Sequence, residues 1–173
     1  DYLDLWQIHE VVYEDDPDRH FVPNGGAEAL LEAKHQGKVR FIGFTGHKHP
    51  QIHLKMLAHD FPFDTCQMPL NVFDGTYRSF EREVLPILNQ RGIAPLGMKS
   101  LSGNAEPIKQ GIVTPEEAIR YVLSLPIVSL VSGIDSPQVL RQNLDIARRF
   151  RPMTVAEMDG LRTRVAQYAM DGR

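Results

Sequence analysis

The chain has 173 residues, 42% hydrophobic and 24% charged, enough to bury one good core as a single globular domain over residues 1–173. Its net charge of −3 supplies no basic face for phosphates, which argues against nucleic acid as a partner. No apolar run approaches the roughly 20 residues that span a bilayer, so no membrane segment is expected. Cys66 is the single cysteine, which rules out an internal disulfide and suits a reducing, cytoplasmic compartment. No charged leader with an apolar core precedes the first element; Asp1 opens directly into it, and further residues are expected upstream.

Two hydrophobic periodicities alternate along the chain. Leu3 to His9 reads as a strand. Ala27 to Gly37 follows at helical spacing, with Ala27, Leu30 and Leu31 in phase and a glycine stop. Val39 to Phe44 is the second strand; Ile52, Leu54, Met56 and Leu57 mark the next helix. Phe63 to Gln67 is the third strand. Phe80 to Arg91 is helical and ends at Gly92, but Pro86 argues against an unbroken helix. Ile93 to Gly97 is the fourth strand, although Pro95 removes one ladder donor. Thr114-Pro115-Glu116-Glu117 carries a capping hydroxyl, a first-turn proline and a carboxylate three residues on, and opens a helix to about Leu125. Ile127 to Ser132 reads as a buried strand. Ser136-Pro137 caps a helix through Ala147, and Thr154 with Glu157 forms a second capping box for a last helix to about Tyr168.

Five strands, each followed by a helix, imply parallel pairing and right-handed crossovers. No G-x-G-x-x-G joins a strand to a helix, so the dinucleotide fingerprint of a doubly wound domain is missing. A closed barrel takes about 250 residues, so roughly three units would be absent here.

Ligands of parallel α/β architectures lie at the C-terminal ends of the strands. Those ends carry His9-Glu10, Thr45-Gly46-His47, Gln67-Met68, Met98-Lys99-Ser100 and Gly133-Ile134-Asp135. His9 can donate to a carbonyl oxygen, or can satisfy its own loop. Lys99 can anchor an anion, or can be a solvated lysine. Gln67 offers an amide that donates and accepts, or that caps the strand end. Asp135 can be no more than turn chemistry. His49 and His53 stand one helical turn apart without an acidic partner at ligand spacing, so no metal is expected and a solvated, histidine-rich helix start is the reading. Cys66 is read as a small apolar packing residue. The loop Glu10 to Gly25 is strongly acidic; folded inward, it would discourage an anionic substrate, but a solvated loop is the favoured reading. Met98 to Thr114 is a second long loop.

In order along the chain, these segments resemble the aldo-keto reductases. Asp1 to His9 is similar to that family's fourth strand, Gly37 to Thr45 to the fifth, and Gln67 to Asn71 to the sixth strand end. Gly92 to Leu101 resembles the seventh, and Gly133 to Asn143, with Leu140-Arg141-Gln142-Asn143-Leu144, resembles the adenosine-binding segment after the eighth. The resemblance implies an incomplete α/β (β/α)8 TIM barrel of about five units plus a C-terminal helix. It also implies an NAD(P)H-dependent oxidoreductase that reduces aldehydes or ketones by hydride transfer to a small-molecule carbonyl substrate. His9 falls at the family's catalytic histidine. Thr45, Gly46, Gln67, Met98, Lys99, Ser100, Leu101, Gly133, Ile134, Asp135, Gln142 and Asn143 fall at cofactor-binding positions.

Several positions depart from the family pattern. Gly46 stands where an asparagine usually contacts the carboxamide, Met98 where an aromatic ring stacks, and Val139 where an arginine holds the 2′-phosphate of NADP. Lys99 or Arg141 could compensate, so the resemblance leaves NADP against NAD open. The family's aspartate, tyrosine and lysine belong upstream of Asp1, and no tyrosine here matches; the expectation is that this chain alone is inactive. The alternatives are a metal-dependent barrel hydrolase, from His9, His47, His49 and Asp135, and a non-catalytic nucleotide-binding module. Five strands would leave two unpaired edges, so the isolated chain is expected to associate, with homo-oligomers among the outcomes.

Overall fold

The computed structural model describes residues 1–75, 77–103 and 105–169. The strands are β1 (Leu3–Ile8), β2 (Val39–Thr45), β3 (Thr65–Pro69), β4 (Ala94–Met98) and β5 (Ser129–Leu130). All pair in parallel, in the order β1-β2-β3-β4-β5. A doubly wound sheet reverses its strand order at a switch point. This one never reverses, so right-handed crossovers lay the helices on one face, as in a (β/α) barrel. The fold is an open, incomplete barrel of five β/α units.

Between strands run α1 (Asp16–His20), α2 (Gly26–His35), α3 (Pro50–Ala58), α4 (Phe80–Glu83), α5 (Leu85–Arg91), α6 (Glu106–Lys109) and α7 (Pro115–Leu123), and after β5 come α8 (Pro137–Arg148) and α9 (Val155–Ala169). The helix expected over Phe80 to Arg91 is broken at Val84, which ends α4 and precedes α5. Pro86 in the first turn of α5 has no N–H to continue the α4 ladder. Two short helices, α1 and α6, occupy the long loops where none was expected.

The core lies between the helix layer and one face of the sheet. Ile42, Phe44, Cys66 and Met68 are fully buried there with Leu30, Met56, Leu88, Tyr121 and Val122. Each such large side chain contributes roughly 1.5–3 kcal/mol of burial. Cys66 packs as the expected apolar residue, and burial pushes its thiol pKa up.

On the other face, the register aligns rows across strands. Gln7, Gly43, Thr65 and Ala94 form one; Thr45, Gln67, Leu96 and Ser129 form the next, nearer the C-terminal ends. Gly43 is required by the first row: a Cβ there would lie 2.1 Å from Thr65 Oγ1, the atom to which Gln7 Nε2 donates at 3.3 Å.

The strand expected over Ile127 to Ser132 is shorter and less buried than its composition suggests. Only Ser129 and Leu130 are regular strand. Val128 N donates to Pro95 O and Val131 N to Gly97 O, at 2.9 and 2.8 Å, but β5 has a single neighbour. Val128 and Val131 consequently remain 69% and 51% exposed.

Candidate active site

Parallel pairing brings the C-terminal ends of the strands to one rim, and hydrogen bonds tie the first four together. Val11 N donates to Thr45 O (2.8 Å), Gly46 N to Gln67 O (3.3 Å) and Leu70 N to Met98 O (3.0 Å). Side chains repeat the pattern. His9 Nδ1 lies 3.2 Å from Thr45 Oγ1, which also accepts from Glu10 N at 3.2 Å, and Gln67 Nε2 donates to Met98 Sδ at 3.4 Å. His9, Thr45, Gly46, Gln67 and Met98 therefore form one contiguous rim.

The His9 ring is held at Nδ1 only; its side chain is 82% exposed, and Nε2 faces solvent 3.9 Å from Glu10 Oε2. Glu10, at φ 64, turns its carboxylate back onto His47 Nε2. Of the remaining histidines, His49 caps α3 by accepting from Gln51 N at 3.1 Å. His53 is fully buried, packed on Phe44 and edge-on to Phe80. The helix start is thus not uniformly solvated, because its second turn faces the core. Burial holds the His53 imidazole pKa down to about 4; the nearby His47 lowers it further, and the Gln67 and His49 backbones offset part of this. Neither ring nitrogen makes a hydrogen bond of good geometry. Among the described residues no group of three or more His, Cys, Asp or Glu could hold a metal ion.

Gly46 sits directly against this histidine. A Cβ there would come 2.4 Å from Val11 O and 2.7 Å from His53 Cε1. The glycine follows from that close approach.

Lys99 and Ser100 diverge after β4. Lys99 takes φ 55 and is exposed, whereas Ser100 is buried and Leu101 packs against the core. Lys99 faces Asp74, a residue the sequence reading missed. Asn71 Oδ1 accepts from Phe73 N (2.9 Å) and Asp74 N (3.0 Å), and its Nδ2 donates to Asp74 Oδ2 (2.5 Å). Burial raises the Asp74 pKa, while Asn71 and the Lys99 charge pull it back. The Asn-x-x-Asp spacing after a strand was the available signal.

The fifth strand end stands apart from this cluster. Gly133, Ile134, Asp135 and Gln142 are exposed. Asn143 is buried and donates to Ser132 Oγ (3.0 Å) and Gly133 O (3.4 Å), which folds the turn onto α8. Ser136 caps α8 by accepting from Val139 N at 3.2 Å. No helix among the described residues is long and apolar enough to cross a membrane.

The aldo/keto reductase family model matches residues 1–107, more than half of the chain. No curated protein matches it. Among solved structures, the apo form of an aldo-keto reductase from Bacillus halodurans aligns with 95% of this chain and 62% of its own, at a TM-score of 0.71 and 17% identity. A thermostable aldo-keto reductase in complex with the inhibitor epalrestat aligns over 95% and 60%, at 0.67 and 20%. An aldo/keto reductase from Brucella melitensis aligns over 95% and 62%, at 0.66 and 15%. The chain thus spans about three fifths of the length of these structures, and at such identities the likeness is one of fold.

Proposed function

The chain belongs to the aldo/keto reductase family, and from that premise we propose that it forms the cofactor side of an NAD(P)H-dependent reductase of small aldehydes or ketones. The observation that carries the reading is the rim itself. An imidazole held at Nδ1, with Nε2 exposed 3.9 Å from Glu10 Oε2, stands two strands from an amide whose only side-chain partner among the described residues is a thioether.

The rim suits a nicotinamide. Sulfur is a weak acceptor, so the Gln67 amide can exchange Met98 for a carboxamide at little cost. The Met98 thioether can pack on a ring face, and Lys99 can meet an anionic group. The turn at Gly133 is open, with nothing within 4 Å of a Cβ built there, and it leads into the N-terminus of α8. Held at the rim by Gln67 and Met98, a reduced nicotinamide would supply a hydride.

The chain's own residues orient and polarise. With the Thr45 oxygen accepting from Glu10 N, its hydroxyl can turn its proton to His9 Nδ1, the arrangement that carries the ring proton on Nε2. His9 Nε2–H then donates to the carbonyl oxygen and fixes which face is presented to Gln67 and Met98. No tyrosine of the chain matches the family's acid, so the chain alone binds cofactor and does not turn over. The buried Cys66 fits a reducing compartment, and the cytoplasm is the location this reading implies.

Titration with NADH and NADPH, followed by nicotinamide fluorescence, tests the proposal. Saturable binding that weakens at least tenfold in Gln67→Ala is expected. Val139 offers no charge to a 2′-phosphate, so the two affinities should lie within about tenfold of each other. Binding of neither nucleotide would overturn the reading.

A further inference from the structure

Beside the rim lies a cleft of about 620 Å³ that the hydride chemistry does not use. Its walls come from the segment after β1, the start of α3 and the chain before α4. Its lining begins two residues beyond Glu10 on one wall and one residue beyond His47 on another, and Glu10 pairs with His47 and lies 3.9 Å from His9 Nε2.

The cleft is cationic although the loop that builds it is acidic by composition. Lys48, Lys55, Arg78 and His49 line it, with Glu14 as the acid among the lining residues. The other carboxylates of that loop are already paired, Asp18 with Lys55 of the lining itself. Asp16 accepts from Val12 N and Tyr13 N at 2.8 Å each, Asp15 pairs with Arg19 at 2.6 Å, and Asp18 takes Lys55 at 2.5 Å. Lys48 and Arg78 have no such partner among the described residues. The Lys48 ammonium sits 5.4 Å from the Tyr13 ring centroid and the Arg78 guanidinium 5.2 Å from that of Tyr77. Ring stacking orders a cation without neutralising it. The acidic composition of this loop therefore does not by itself keep an anion from the cleft.

We propose that the small-molecule carbonyl ligand of this protein carries an anionic group, a carboxylate or a phosphate, which docks on Lys48 and Arg78 while its carbonyl lies at His9. The inference rests on the reductase reading for the position of the carbonyl. A charge-assisted contact to each cation is worth roughly tenfold in affinity.

Three probes separate the outcomes: 4-carboxybenzaldehyde, 4-formylphenyl phosphate and the neutral methyl 4-formylbenzoate. Calorimetry on the protein and on the Lys48→Gln/Arg78→Gln variant decides the cleft, and the NADH and NADPH titration separately decides the reductase reading. At least one anionic probe should bind tenfold or more tighter than the ester, and the double variant should bring it down to the ester's affinity. The tighter of the two anions identifies the group. Equal affinities for all three probes, or a preference that survives in the double variant, would overturn the proposal.

Discussion

At the scale of single residues, Gly46 and His53 explain each other. The family's usual asparagine at position 46 would need a Cβ 2.4 Å from the Val11 carbonyl oxygen and 2.7 Å from the His53 ring. Gly46→Asn should therefore destabilise by about 2 kcal/mol, as overpacking does, and weaken nicotinamide binding instead of adding a contact. Thermal unfolding and nucleotide titration of that variant check both halves. His53 makes a pH prediction of definite sign. Its pKa is about 4 in the folded chain against about 6.5 unfolded. Between those values the unfolded chain takes up a proton that the buried ring refuses. The contribution is fully present above pH 6.5 and falls by about 3 kcal/mol as pH drops towards 4. In His53→Leu the urea midpoint should lose this part of its pH dependence and change little at pH 7, because ring nitrogens without a hydrogen bond of good geometry give up little. Equal pH dependence in both proteins would contradict the assignment.

At the scale of elements, what the sequence made legible was whatever is encoded within four residues. Thr114 and Glu117 form the expected reciprocal box at α7, Thr154 and Glu157 do the same at α9, and Ser136 caps α8. His9, Thr45, Gln67 and Met98, read as strand ends, likewise lie on one rim, because parallel pairing puts strand ends together whatever the loops do. Contacts over long separations left no such trace. β5 has the composition of a buried strand, but composition does not report how many neighbours a strand has. The clasp that docks α9 was equally hidden. Arg162 donates from Nε to the Tyr121 hydroxyl (2.7 Å), pairs with Glu81 (2.6 Å) and Asp159 (2.7 Å), and Tyr121 donates to Glu81 (2.7 Å). Burial together with Glu81 holds the Tyr121 pKa far above its usual value. Arg162→Met leaves the Glu81 carboxylate, 13% exposed, without its cation. A loss of about 3 kcal/mol is expected, with α9 amides exchanging faster than those of α7. Adding Glu81→Gln should recover part of that loss, since the stranded charge is its main cause.

At the scale of the whole molecule, the sheet poses a problem that its helices do not solve. A closed barrel has no edge strands, whereas this sheet ends at β1 and β5, each with one side unpaired. Apolar side chains gather at those ends: Leu3 is 57% exposed, Trp6 43% and Val128 69%. A cleft of about 390 Å³ lies against β1 between Tyr2, Leu3, Trp6 and Ala33. Exposed strand edges with apolar flanks pair with whatever strand is available, and a second copy is always available at working concentration. The chain by itself should therefore sediment above monomer mass at micromolar concentration. Placing lysine at both edges, Leu3→Lys with Val128→Lys, should return it toward monomer, because an edge charge would be buried by pairing. The interior packing of Ile42, Phe44, Cys66 and Met68 lies away from both edges, so the far-ultraviolet circular dichroism should be retained in the variant. A monodisperse monomer that unfolds cooperatively without those substitutions would show that the edges are protected by some other means, and the association argument would fail.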